Sequence, residues 1–217
     1  MNKNLTELVF IIDRSGSMAG LESDTIGGFN STLKAHQTAE GEAFVSTVLF
    51  DHESRVLHDR IPITDVAPMT EADYQVRGCT ALLDTIGGAI NHIAKIHKYL
   101  PEDHVPAHTI FVITTDGLEN ASYQYTYGQI KKLISQKEEL GWDFLFLGAN
   151  IDAAAEASRI GISPQRAATY VSDNKGTEVM YDAMCAETVC MRAGTSARDD
   201  SWKKKIERDL RRIRFSK

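Results

Sequence analysis

Two short runs constrain this chain most: "TELVFII" at residues 6–12 and "TIFVITT" at 109–115. Each is almost continuously apolar or β-branched and too brief for a buried helix, so each reads as a strand covered on both faces. Each also delivers an aspartate at its end, Asp13 and Asp116. Strands of this kind belong to the parallel centre of an α/β sheet, and the length of chain between them demands crossovers rather than hairpins.

The intervening and following segments fill in that architecture. "EAFVSTVLF" (42–50) and "SRVLHDRIPI" (54–63) alternate better and are separated only by "DHE", which predicts an antiparallel hairpin on one side of the sheet. Apolar residues recur at three and four in 23–38, through Ile26, Phe29 and Leu33, and in 81–100, through Leu82, Leu83, Ile86, Ile90 and Ile93, so both segments are expected to be amphipathic helices. Thr126 and Gln129 have capping-box spacing, and Gly141 ends that helix. "WDFLFLGAN" (142–150) reads as a further buried strand, followed by a short helix near Asp152, a weak strand at 167–172 and a helix over about 175–192. The fold class is therefore α/β, with a mostly parallel central sheet, one antiparallel edge strand and helices on both faces.

At 217 residues the chain suits one domain, with a core over 1–172 and a helical extension over 173–217 expected to pack on it. A composition of 42% hydrophobic and 25% charged residues excludes disordered and fibrous classes. No apolar run approaches the roughly 20 residues needed to cross a bilayer, and "MNKNLTELVF" lacks the features of a signal peptide, so a cytoplasmic address is expected. Cys79, Cys185 and Cys190 form no metal-type pair and are read as packed thiols in a reducing compartment. Charge is uneven: 198–217 holds nine Lys or Arg against four Asp or Glu, while the rest of the chain carries a net of −11.

Chemistry concentrates where the two central strands end. In "DRSGSM" the oxygens of Asp13, Ser15 and Ser17 fall at alternate positions, and Gly16 lets the backbone turn between them. Thr80 in "RGCTALLD" precedes a helix and Asp116 in "TTDGLEN" follows a strand, so both can reach the same rim. Carboxylate and hydroxyl oxygens suit a hard divalent cation rather than zinc or copper. These residues resemble the metal-ion-dependent adhesion site of the von Willebrand factor A domains, Asp-x-Ser-x-Ser with a Thr and an Asp on later loops, over roughly residues 5–172. "GCTALLD", "TTDGLENAS" and "FLGANID" look particularly like small stand-alone bacterial members. The resemblance implies a Rossmann-like fold and a non-enzymatic binding module. It implies Mg2+, with Mn2+ or Ca2+ as substitutes, held by Asp13, Ser15, Ser17, Thr80 and Asp116 and completed by a Glu or Asp of a partner protein.

Plainer explanations compete at several positions. "DRSGS" alone is a polar turn, Thr80 a helix cap, and Asp116-Gly117 a turn after a strand. Asp152 is read as a helix cap, and Asn150 as a residue that shapes the rim. Glu119, Asn120, Tyr123, Tyr125 and Tyr127 suit a partner-facing loop and a half-buried one equally. The seven histidines lack matching cysteines and read as solvated, and Gly27-Gly28 and Gly87-Gly88 suggest helices packed close to the sheet. A Mg2+-dependent phosphoryl-transfer or hydrolytic enzyme is the alternative function, weakened by the lack of a nucleophile pair, a phosphate-loop lysine or a general base. Ile206, Leu210 and Ile213 suggest that the basic tail is a helix packed on the domain or on a partner, and the acidic body argues against nucleic acid.

Overall fold

The computed structural model describes residues 1–197 and 199–214, which form one six-stranded sheet. Its strands are β1 (Asn2–Asp13), β2 (Glu42–Phe50), β3 (Ser54–Pro62), β4 (Pro106–Thr115), β5 (Trp142–Ala149) and β6 (Ala167–Tyr170), in the order β3-β2-β1-β4-β5-β6. Every neighbouring pair is parallel except β2 and β3, the expected hairpin, which places one antiparallel strand at an edge. The runs 6–12 and 109–115 lie side by side at the centre, with Ile12 of β1 opposite Thr114 of β4.

Helices cover both faces because the central strands bury alternate residues in opposite directions. Leu8, Phe10 and Ile12 of β1 pack with Ile110, Val112, Leu145 and Leu147 beneath α1 (Glu22–Thr38) and α5 (Asn174–Arg192). Val9 and Ile11 pack with Phe111, Ile113, Phe144 and Phe146 beneath α2 (Leu82–Tyr99), α3 (Tyr127–Glu138) and α4 (Ala153–Arg159). Phe10 and Phe29 meet edge to face at 5.4 Å with both rings buried, and truncating such a phenylalanine to alanine costs about 3–5 kcal/mol. Thr126 and Gln129 form the expected capping box at the start of α3.

Helix α5 is locked to α1 by polar contacts between residues distant in sequence. His36 Nε2 lies 3.0 Å from Thr188 Oγ1, and the Arg192 guanidinium donates to the carbonyls of His36 (2.8 Å) and Gly41 (2.7 Å), satisfying the end of α1. The last helix, α6 (Lys204–Arg214), buries Ile206 in the same core, and Lys203 Nζ donates to the carbonyls of Pro164 and Ala167. The side chain of Ile213, expected on the apolar face of this helix, lies outside the described residues.

Three expectations about single residues need correction. His36 and His58 are buried rather than solvated, because each finds a threonine hydroxyl, Thr188 and Thr47, inside the fold. Cys79 is exposed rather than packed, because it sits on a loop at the sheet's rim. Gly28 packs against the Tyr181 ring of α5 and Gly87 against the Tyr125 ring, so the close neighbour is an aromatic side chain in both cases and not the sheet.

Candidate metal centre

Strand register brings the carboxyl ends of the strands level, and the site is built on that rim. Asp13 pairs with Phe50 across β1 and β2, Ile12 with Thr114 across β1 and β4, and Thr115 with Gly148 across β4 and β5. Consequently Asp13, Asp51, Asp116 and Asn150 leave four adjacent strands at nearly one height.

The first loop folds around Asp13. Its Oδ1 accepts from the backbone N–H of Ser15 at 2.6 Å, and its Oδ2 accepts from Thr115 Oγ1 at 2.7 Å and the Asp116 N–H at 3.4 Å. Ser15 Oγ and Ser17 Oγ stand 3.1 Å apart, so the alternate spacing does converge the hydroxyls. Tyr74 OH donates to the carbonyl of Asp13 and fixes the strand end from beneath.

Thr80 arrives on the second loop. It does not cap α2: the capping position is Ala81, which makes no side-chain bond. Its backbone is instead stitched to the third loop, with Thr80 N–H donating to Asn120 Oδ1 at 2.9 Å and the Thr80 carbonyl accepting from the N–H groups of Asn120 (3.1 Å) and Ala121 (3.2 Å). A Cβ at Gly117 would lie 3.5 Å from both Ser17 Oγ and Thr80 Oγ1, so hydroxyls from two loops face the backbone of the third.

Asp116 is gripped from the far side of the sheet. Asn150 Nδ2 donates to its Oδ1, and Ser172 Oγ donates to its Oδ2 at 2.8 Å. Asn150 holds a left-handed backbone, φ 54°, which is uncommon for a residue other than glycine. Asp152 is the cap of α4 as expected, accepting from Ala155 N–H at 3.0 Å. Sequence reasoning missed Ser172 and undervalued Asn150, whose signals are a polar residue directly or shortly after a buried strand.

The third loop divides between two roles. Glu119 accepts from the N–H groups of Leu83 (2.9 Å), Ala121 (2.9 Å) and Ser122 (2.7 Å), so its carboxylate is spent on the loop and on the start of α2. Tyr125 packs over Gly87, and the Tyr127 hydroxyl donates to Glu156. Tyr123 stands apart at 83% exposure, and Leu118 is exposed on the same loop.

A further residue organises the rim. Asp51, fully buried, lies 3.0 Å from Arg14 Nε and accepts from Arg77 Nε at 2.9 Å, while its carbonyl accepts from Ala81 N–H at 2.7 Å. The Arg14 N–H is not aimed along its line of approach, so that contact is an ion pair and the Arg77 contact a hydrogen bond. Burial pushes the Asp51 carboxyl up, but the bonds from Arg77 and Glu53 and the guanidinium charges outweigh it and hold it below the usual range. One carboxylate thus ties the first loop to the second. Gly78 closes that junction at φ +69°, where a Cβ would run into the His52 ring. The signal was available: "VFIID", "TVLFD" and "VITTD" are three strands that each end in aspartate.

Electrostatics say what the centre can accept. Burial raises the Asp13 carboxyl above its usual range against the bonds from Thr115 and Ser15, and burial raises Asp116 too, with the Asp13 charge adding to it. The groups bonding to these carboxylates are hydroxyls, an amide and backbone N–H, while the nearby Arg14 forms its ion pair with Asp51. Two buried carboxylates at adjacent strand ends beside the Ser15, Ser17 and Thr80 hydroxyls, with no basic side chain among their bonded partners in the described residues, fit a hard divalent cation. Among the described residues no group of three or more His, Cys, Asp or Glu side chains is placed to hold a metal.

No protein-family model matches the sequence, and no curated protein matches it. Similarity is found among solved structures. The von Willebrand factor domain of the type V pilus tip protein Mfa5 of Porphyromonas gingivalis superposes with a TM-score of 0.57 at 12% identity, over 83% of this chain and 94% of that one. Manganese-loaded TRAP protein of Plasmodium vivax gives 0.56 at 12% identity, over 82% and 73%. Proximal thread matrix protein 1 of the mussel byssus, with a zinc-occupied metal-ion-dependent adhesion motif, gives 0.56 at 16% identity, over 87% of this chain and 47% of that one. The chain therefore spans about half the length of the mussel protein. At these identities the likeness lies in the fold, which is that of the von Willebrand factor A domains.

Proposed function

We propose that this von Willebrand factor A fold serves as a divalent-metal-dependent protein-binding module of the bacterial cytoplasm. In this reading Ser15 and Ser17 hold Mg2+ directly, Thr80 directly or through water, and Asp13 and Asp116 largely through water. A Glu or Asp of a partner protein completes the shell. Mg2+ keeps near-octahedral geometry and surrenders water reluctantly, so few direct anionic ligands leave it attractive to an incoming carboxylate. What supports the reading is that the hydroxyls of Ser15, Ser17 and Thr80 gather beside Gly117, at strand ends that carry the buried Asp13 and Asp116.

Binding is favoured over turnover because the hydrogen-bond partners of Asp13 and Asp116 are hydroxyls, an amide and backbone N–H, none of which gains or loses a proton near neutral pH as a general acid or base must. Three free cysteines suit a reducing compartment. Titration calorimetry tests the metal: the wild-type chain takes up Mg2+ or Mn2+, and Asp13→Ala and Thr80→Ala lose that uptake while keeping the fold. Partner capture in magnesium, abolished by EDTA and by Ser15→Ala, tests the function. Capture that persists without metal would sink the reading.

A further inference from the structure

We propose that the groove between α5 and α6 continues the metal centre and takes the additional carboxylates of an acidic polypeptide segment whose first carboxylate reaches the metal. This rests on the metal-binding reading above and adds the chemistry of the partner.

The groove measures about 470 Å³ and is lined by Lys175, Lys205, Arg208 and Arg212 against Asp182 and Asp209. Arg212 is committed, with its Nη2 2.8 Å from Asp173 Oδ2. Lys175, Lys205 and Arg208 are exposed, and Lys205 and Arg208 share one face of α6 at a spacing of three. The groove joins the rim through α5. Its cap, Asp173, follows Ser172, which donates to Asp116, and Lys175 stands three residues beyond Ser172. On its other side α6 presents Leu210 to a second groove of about 410 Å³ that includes Asn150 and Ser172, the two residues gripping Asp116.

Charge selects the occupant. Outside 198–217 the chain carries a net of −11, which repels an acidic partner, whereas 198–217 carries nine Lys or Arg against four Asp or Glu. An acidic segment is thus attracted where α6 borders the metal rim and repelled elsewhere. The file from Lys205 to Arg212 is roughly 10 Å long at about 1.5 Å per helical residue. That matches three residues of extended peptide at about 3.3 Å each. A polynucleotide, whose footprint on even one small module is on the order of 600–1,000 Å², would have to lie across the acidic body.

The test uses the full chain saturated with Mg2+ and two labelled peptides read by fluorescence anisotropy. One carries a single glutamate in a glutamine background, and the other has every glutamine changed to glutamate. The expected result is that the polyglutamate peptide binds about tenfold tighter, the scale of one or two exposed ion pairs at each site. K205E/R208E, with K205Q/R208Q as the milder variant, brings it down to the single-glutamate affinity without changing Mg2+ uptake, and EDTA weakens both peptides. Equal affinities in the wild type, unchanged binding in both variants, or polyglutamate binding indifferent to EDTA would overturn the proposal. So would an oligodeoxythymidylate that binds more tightly than polyglutamate and is lost in the same variants. Mg2+ calorimetry on the wild type, run in parallel, isolates the underlying reading: no uptake there refutes the metal centre itself, and uptake with equal peptide affinities refutes only the groove.

Discussion

Asn150, at the end of β5, turns its backbone to φ 54° and donates its side-chain amide to Asp116 Oδ1 at the end of β4. A left-handed backbone outside glycine costs on the order of 1 kcal/mol, so the position retains a strained residue for what its amide does. Asn150→Ala removes the amide and keeps the strain, whereas Asn150→Gly removes both. We expect each to weaken Mg2+ binding by about tenfold, the lower end for groups that orient a ligand. Only the alanine variant should also lower the metal-free melting temperature. Calorimetry and thermal melts separate the two effects, and an alanine variant with wild-type metal affinity would remove Asn150 from the site.

Asp51 supports the loops from below, with Arg14 at 3.0 Å and Arg77 at 2.9 Å from its Oδ2. Replacing it by alanine leaves the buried Arg14 without its counter-charge. The expected loss is about 3 kcal/mol, the low end for breaking a buried pair because the Arg77 side of the knot faces water. Arg77→Ala, at a side chain 54% exposed, should cost far less. Urea denaturation of the two variants checks the order, and equal losses would mean that Asp51 is not the organising member.

How far the site could be read from sequence follows from the range of its contacts. The convergence of Asp13, Ser15 and Ser17 within one loop was legible because its geometry is fixed within five residues, and the central strands because burial on both faces leaves an unbroken apolar run. The capping box at Thr126 was legible for the same local reason. The place of Asp51 at a strand end was legible but its role was not: followed by His52 and Glu53 it has the chemistry of a hairpin turn, and that role depends on Arg14 and Arg77, which only the folded sheet brings to it. Ser172 and Asp116 meet across 56 residues, and Arg192 reaches His36 across 156, separations at which residue type alone does not select a partner.

His36 gives the chain an acid limit. It is buried against Thr188 with Arg192 beside it, and burial first, then the Arg192 charge, lowers its pKa from 6.5 to about 3. A folded-state pKa depressed below the unfolded value means that the unfolded chain binds the proton more readily. The stability this neutral histidine contributes is therefore whole above pH 6.5 and falls as pH drops from 6.5 towards 3, by up to about 1.4 kcal/mol per pH unit. Denaturation at pH 7.5, 6 and 5 should show that decline, and His36→Gln, which cannot take up a proton, should flatten it. A wild-type profile as flat as that of the variant would contradict the assignment.

Adjacent glycines in α1 should respond in opposite directions to the same substitution. Gly27 is exposed, and a Cβ there meets nothing within 4 Å, so Gly27→Ala gains only the helix preference of alanine, about 1 kcal/mol of stability. Gly28 faces α5, where a Cβ would press into the ring of Tyr181, itself 4% exposed and part of the core. Tyr181 cannot withdraw without disturbing the contact between α1 and α5 that His36, Thr188 and Arg192 also hold. Gly28→Ala should therefore lose about 1–3 kcal/mol to overpacking despite the same gain in helix preference. Thermal melts of the two single variants read the signs directly. Stabilisation by Gly28→Ala would mean that α5 does not seat against α1 as closely as Tyr181 and Gly28 indicate.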